Sequence, residues 1–367
     1  MNLVHICNPE NRRAHYLREA CRKLSLPAPK EIAWIDFLSE DDHPDLAPGY
    51  VVRIESPGES FAVEKRLIEK GGGPANLTED HGRLRHQVNW YCGLQKTLRE
   101  IEKTEPNASF INHPSAIEIM FDKYRSQTHL ATHGIPIPNI LGRIDSFDQL
   151  LSLMEEKSTR RVFLKPCHSS SASGVVALQT SIRGRFLATT SSELVGTRIY
   201  NSLKLRQYSD RDEIRKLIDL LCRENLMAEK WFPKASLNGK IYDLRVVVIA
   251  GEARHAVART SRSPITNLHL GNARGDIESI RQALGNEVWQ SAMKVCENTS
   301  ACFPDCHYVA VDLMISAGQT GFAVAEVNAF GDLIPNIYSG GDDTYTAELR
   351  SFIHAQGSRS SSNQQSA

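Results

Sequence analysis

The chain has 367 residues, 41% of them hydrophobic and 23% charged, which is the composition of a globular protein of roughly two to three domains. Lys+Arg and Asp+Glu balance at 43 each, so nothing pulls the whole molecule toward nucleic acid or an anionic membrane, and any phosphate site must be local. No apolar run approaches the ~18 residues of a membrane span. The start, "MNLVHICNPENRR", lacks the apolar core of a signal peptide, and the eight cysteines show no paired spacing. These features predict a cytoplasmic protein with reduced thiols and no membrane or nucleic-acid partner.

In chain order, residues 1 to about 110 alternate strands and helices. "NLVHIC", "EIAWIDF" and "YVVRIES" read as strands; "RAHYLREACRKLSL", "SFAVEKRLIEK" and "QVNWYCGLQKTLREIEK" read as helices. That order predicts an open α/β domain. "GGGPANLTEDHG", from Gly71 to Gly82, is a loop. "SAIEIMFDKYRSQTHLATHG" is a helix stopped by Gly134. "RRVFLKP" is a strand running into the small-residue loop "CHSSSASG", and "VVAL" resumes as strand. The helix "DRDEIRKLIDLLCREN", the strand "LMAEKWF" and the hairpin "IYDLRVVVIAGEARHAVARTS" follow. A helical stretch, "DIESIRQALGNEVWQSAMKVCENTS", precedes the last strand pair, and the tail "QGSRSSSNQQSA" is low-complexity.

That last pair, "VAVDLMISAGQTGFAVAEVNAF", carries Asp312, Glu326 and Asn328 inside apolar runs. Side chains alternate along a strand, so Glu326 and Asn328 share a face, and a five-residue turn with Ser316 opposite Phe322 sets Asp312 opposite Glu326. Burying a carboxylate without a partner costs several kcal/mol. Two carboxylates and an amide are oxygen ligands suited to Mg²⁺. From the hairpin alone, a metal site and a carboxylate paired with Arg or Lys are equally good readings.

Other segments supply cations and donors. Lys165 stands late in its strand before a loop able to bring backbone N–H groups to a phosphate. Asp243 and Arg245 share a strand face; Arg259 lies on the partner strand, and Thr266 and Asn267 follow. Two arginines near carboxylates suit an anionic transferring group. Zinc at Cys296, Cys302, Cys306 and His307 lacks a CxxC knuckle, so ordinary packing is the better reading. Cys167 and His168 are adjacent in sequence, which does not make them a nucleophile pair; loop packing, or a phosphate contact by His168, is preferred. "RIESPGES" and "CNPENRR" end strands of the first domain and so could face substrate. Arg53 could then hold a carboxylate, with a surface ion pair as the better reading.

The order "FDKYRSQTHLATHGIPIP", "VFLKP…GVV", "LMAEKWF", "YDLRVVVIAGEARHAVART…TN" and "VAVDLM…AEVN" resembles the ATP-grasp superfamily, in the branch of glutathione synthetase and the ribosomal-protein glutamate ligases. The resemblance spans about Ile111 to Asn336. It implies an α/β fold with an α+β ATP-grasp core, the nucleotide lying between two antiparallel sheets. It divides the chain into an N-terminal α/β domain (1–110), a linking helix and lid (111–228), a core (229–354) and a disordered tail (355–367). Lys123 and Lys165 would contact phosphates, with Ser171 and Gly174 in the lid loop. Glu229 would accept from the adenine amino group, the Lys230 and Trp231 backbone would read the adenine edge, and Trp231 or Phe232 would pack near the ring. Arg245 and Arg259 would hold the γ-phosphate, with Asn267 near it. Asp312, Glu326 and Asn328 would bind Mg²⁺, usually two ions, with Mn²⁺ as a substitute.

The sequence departs from relatives in a serine-rich loop, in the absence of an early acidic residue in "PKASLNGKIYD" to take the ribose, and in the lack of Pro-Gly after "EVN". The implied function is an ATP-dependent carboxylate–amine (or thiol) ligase, working through an acyl phosphate on an amino acid or peptide, with homodimer formation open. An ATP-grasp kinase and a non-catalytic nucleotide-binding module are the alternatives.

Overall fold

A computed structural model of the chain describes residues 2–39, 49–104, 108–270, 272–330 and 334–364. Among these, the strands form three main sheets. The first is parallel throughout, in the order β2-β1-β3-β4: β1 (Asn2–Cys7), β2 (Lys30–Ala33), β3 (Tyr50–Ile54) and β4 (Ser109–Phe110). Alternation splits β1 between two cores. Val4 and Ile6 pack with residues of helices α3 (Phe61–Lys70) and α4 (Gln87–Thr104). Leu3 packs with α1 (Arg12–Lys23). "EIAWIDF" is not one strand: β2 stops at Ala33, and α2 (Trp34–Ser39) begins there. Trp34 and Phe37, three apart and fully buried, have helical spacing. The Trp34 indole also donates to Glu55 O at 3.0 Å.

The helix expected over 115–134 is two: α5 (Pro114–Phe121) and α6 (Lys123–Thr132). Asp122 breaks it, taking an extended conformation and capping α6 by accepting from the Arg125 N–H at 3.0 Å. Lys123 therefore opens a helix, its N–H donating to Cys167 O.

The second sheet is antiparallel, in the order β5-β10-β6-β7-β8-β9: β5 (Ile140–Ile144), β6 (Arg161–Pro166), β7 (Val176–Thr180), β8 (Phe186–Val195), β9 (Arg198–Tyr208) and β10 (Leu226–Lys230). Helices α7 (Phe147–Glu156) and α8 (Arg211–Cys222) share its core. The long β8–β9 hairpin carries no clear apolar alternation, because buried hydroxyls fill its inner positions. Thr190 and Ser191 are fully buried and donate to Val175 O and Ala172 O, at 2.7 and 2.6 Å.

The third sheet is also antiparallel, in the order β14-β13-β12-β15-β16, with β11 beside β12. Its strands are β11 (Ser236–Leu237), β12 (Lys240–Ile249), β13 (Glu252–Ser261), β14 (Ala273–Gly275), β15 (Tyr308–Ile315) and β16 (Phe322–Asn328). Helix α9 (Ile277–Ala301), broken at Gly285, packs with the Leu244, Val246 and Val248 face. The opposite face carries Asp243 and Arg245. The final helix, α10 (Thr344–Gln364), joins the core of α1. The tail was expected to be disordered from 355; its backbone is helical to Gln364, and 365–367 lie outside the described residues. No helix among the described residues is long and apolar enough to cross a membrane.

Arg53 ties the first sheet to the third and to α10. It is 1% exposed, not on the surface. It pairs with Glu55 at 2.5 Å and Glu348 at 2.8 Å, donates to the Tyr308 hydroxyl at 3.2 Å, and lies over the Tyr345 ring. It is a structural ion-pair hub rather than a substrate contact. Burial alone would raise the pKa of Glu55, but Arg53 and Arg13 outweigh it and hold it at about 2. Glu348, with burial dominating, is instead pushed up.

Arg53→Ala leaves two carboxylates buried without their shared cation, and urea unfolding should show a loss of about 3–5 kcal/mol. Glu55 has a lower pKa folded than its usual 4.5, so its stabilisation is present above that value and fades as pH falls toward about 2. Urea midpoints taken between pH 6 and pH 3 should therefore fall less steeply in Glu55→Gln than in the wild type.

Candidate active site

A cleft of about 450 Å³ is lined by residues of the second and third sheets and their loops, and by α1 and the loops that follow β1 and β3. Its third-sheet wall is the hairpin β15–β16. Asp312 stands in register with Glu326, and a bulge separates this pair from Leu313–Val324, with Ala325 the extra residue. Glu326 and Asn328, two apart, complete one face, and all three line the cleft. The turn differs by a residue from the expected one, with Ile315 rather than Ser316 opposite Phe322; the bulge restores the Asp312–Glu326 pairing.

Each of these carboxylates already has a cation. Arg245, facing Asp312 across β12–β15, donates to its two oxygens at 2.7 and 2.8 Å. Arg259 bonds the second oxygen at 3.1 Å and Asp243 at 2.7 Å. Lys123 lies 3.1 Å from Glu326 and donates to Ser169 O. Burial alone would raise the pKa of Asp312 and Asp243. The guanidinia beside Asp312, and Arg259 with Lys234 beside Asp243, hold both below the ordinary carboxylate value. The two readings of the hairpin are thus compatible: the carboxylates are paired, and they form an oxygen donor set. Asn328 spends its amide N–H₂ on Ala310 O at 3.4 Å, which leaves its oxygen as a donor atom. The set fits a hard divalent cation such as Mg²⁺.

At the second-sheet end, Lys165 on β6 and Glu229 on β10 are 2.6 Å apart. The other Glu229 oxygen is buried without a hydrogen-bond partner, although the residue lines the cleft. An acceptor left unpaired in this way suits an incoming N–H donor. Phe163, Val175, Phe232 and Met314 supply apolar lining.

Ser171 and Asn267 also line the cleft, whereas Gly174, Lys230 and Trp231 do not. Gly174 is fixed by packing: it has φ +76°, and a Cβ there would meet Pro166 Cγ at 2.6 Å. The N–H groups of Lys230 and Trp231 are taken by Asn139 O and Arg161 O. The Trp231 ring packs edge-on against Phe163, centroids 4.9 Å apart. Cys167 and His168 stay outside the lining as well. Burial pushes the Cys167 thiol up to about 11, and His168, stacked on Tyr91 at 4.1 Å, is lowered to about 4 by burial. Neither suits nucleophilic work.

Sequence reasoning missed Lys234, which bonds Asp243 and Thr266, each at 2.8 Å, inside the cleft. It follows Pro233 at a strand end and has no periodic signal. The aromatic wall of Trp90, Phe121 and Phe330 was also missed, being gathered from distant segments.

Among the described residues, Cys296, Cys302, Cys306 and His307 form no metal-ligand group. The three that do converge, His5, Cys7 and Glu31, have ligand atoms within 4.8 Å of one another. Arg18 lies 2.6 Å from Glu31, and Arg53 is the β3 neighbour of His5.

No curated protein matches the chain. Solved structures do match over nearly its full length. A D-cycloserine synthetase, DcsG, is similar at 13% identity and TM-score 0.57, covering 96% of this chain and 99% of that one. The ATP-grasp ligase PsnB, complexed with a minimal precursor, has 13% identity and TM-score 0.56, covering 97% and 99%. The macrocyclase MdnC from Microcystis aeruginosa MRC, bound with precursor peptide MdnA, has 10% identity and TM-score 0.54, covering 97% and 100%. At these identities the likeness speaks for the fold. The model of the YheC/D-like ATP-grasp family matches residues 111–329, more than half of the chain, and the chain belongs to that family.

Proposed function

We propose that the protein is an ADP-forming ligase that joins a carboxylate to an amine on an amino acid or peptide, through an acyl phosphate. One observation carries this reading. The cations placed to hold phosphate and the carboxylates placed to hold a metal line one cleft, paired with each other. Nucleotide binding alone would not require the whole set. Family membership and the ligases among the structural neighbours support it. The division into 1–110, 111–228 and 229–354 follows, with the second sheet and its serine loop as the lid. The eight free cysteines suit a reducing, cytoplasmic setting.

In this reading Glu229 accepts from the adenine amino group through its unpartnered oxygen, between apolar side chains. Lys123, Lys165 and Ser171 take phosphate oxygens. Arg245 and Arg259 hold the transferring phosphoryl group, with Asn267 beside it. Asp312, Glu326 and Asn328 would hold Mg²⁺, with Mn²⁺ as a substitute, and the ion would withdraw charge from the phosphates. A substrate carboxylate oxygen bonds to the γ-phosphorus as the bond to ADP breaks. The amine nitrogen then bonds to the acyl carbon, phosphate leaves, and the amine loses a proton. The residues position and neutralise, so no protein nucleophile is needed. Closing the lid excludes the water that would hydrolyse the acyl phosphate.

ADP release from Mg-ATP with pooled amino acids and dipeptides should rise on substrate addition, and hydroxylamine should trap a hydroxamate. Glu326→Ala should abolish both. ADP release without hydroxamate would instead indicate a kinase, and tight nucleotide binding without turnover a binding module. Arg259→Ala should lower kcat by roughly 10²–10³-fold, the scale of a lost preorganised charge contact, with a smaller change in KM for ATP.

A further inference from the structure

The first sheet has a topological switch point. The chain leaves β1 for β2 on one side of it and returns to place β3 on the other. Helix α1, which follows β1, packs in one core, and α3, which follows β3, packs in the other. The loops after β1 and β3 therefore part, and a crevice opens at the strand ends, where open α/β sheets take ligands. Here that crevice is one end of the cleft: Asn11, Arg12, Ser56 and Glu59 line it.

The two loops are tied to each other. Asn8 donates to Pro57 O and Gly58 O, at 3.3 and 2.9 Å, and Asn11 donates to Glu59 at 2.7 Å. Glu59 is held at φ +68°, in the left-handed region, without being glycine. Arg12 adjoins Asn11 in the chain, yet forms no ion pair with Glu59 or any other described residue. One positive and one negative group thus line the same cleft, on two loops joined by the Asn11–Glu59 hydrogen bond, and are not spent on each other.

We propose that this crevice is the substrate-selecting subsite of the ligase, and that it takes the non-reacting ends of a zwitterion. Glu59 receives a free α-ammonium and Arg12 a free α-carboxylate of an amino acid or short peptide, whose reacting group lies further along the cleft. The proposal rests on the ligase reading above. A substrate lacking either end forfeits one charge-assisted contact.

The test uses the full chain, Mg-ATP and pools of free amino acids and dipeptides, set against the same pools Nα-acetylated or C-amidated. A fluorescent ADP analogue reports the nucleotide site separately. Free pools should stimulate ADP release and blocked pools should not. Arg12→Ala and Glu59→Gln should each raise the half-saturating substrate concentration about tenfold, the scale of one lost charge-assisted contact. Arg12→Lys should recover part of the loss, and nucleotide affinity should stay as in the wild type. Equal response to blocked pools, or no response to free pools from a protein that binds the ADP analogue, overturns the subsite while leaving the nucleotide site standing. Loss of analogue binding in the variants would show a structural role and also overturn it. Failure of the wild type to bind the analogue would remove the ligase reading and this proposal with it.

Discussion

The site depends on one electrostatic constraint: a buried charge must have a partner. Asp312 is 4% exposed, Asp243 3%, Arg259 7% and Arg245 9%. Removing one member of such a set leaves another charge stranded, at a cost of about 3–5 kcal/mol. The protein meets the constraint by alternating signs across β13, β12 and β15, and by bringing Lys123 of α6 to Glu326 on β16. Arg259 lies in register with Asp243, Arg245 with Asp312, and Asp312 with Glu326. The pairing stabilises the cleft and holds the carboxyls of Asp312 and Asp243 below their ordinary values. In the proposed function the pairs exchange partners: phosphate replaces carboxylate on the cations, and a metal ion replaces the cations on the carboxylates. Charge balance is kept in both states.

The same constraint explains what was legible in the sequence. Carboxylates at alternate positions inside an apolar strand pair are a local anomaly, and period-two geometry is enough to bring Asp312, Glu326 and Asn328 together. The bulge after Asp312 was invisible, but it corrected the turn without moving the pairing. The long strands β12 and β15 were legible as near-continuous apolar runs, the pattern of strands buried on both faces.

The rest was hidden where local rules lose to tertiary context. The β8–β9 hairpin buries Thr190, Ser191 and Ser192 instead of apolar residues. The Thr190 and Ser191 hydroxyls donate to carbonyls of the loop after β6, and the Ser192 hydroxyl has no partner among the described residues, so no apolar alternation marks the hairpin. The single helix over 115–134 hid its break because Asp122 is an ordinary residue within a helical pattern; its capping role shows only in its backbone conformation. Trp34 and Phe37 have strand propensity but helical spacing, and the spacing won. Lys234 and the aromatic wall are brought in from distant segments, and no window of sequence contains them. Arg53 was visible as a strand-end arginine, but only the fold reveals that α10 and β15 cover it.

The central claim is that the paired carboxylates of the third sheet accept a metal ion together with a nucleotide. The most direct measurement is the affinity of the purified wild-type protein for a fluorescent ADP analogue in Mg²⁺ and in EDTA, repeated with Glu326→Gln. Binding should be at least about tenfold tighter in Mg²⁺, with most of that difference lost in the variant. Equal affinity in Mg²⁺ and EDTA would contradict it, and would leave the carboxylates as partners of the arginines alone.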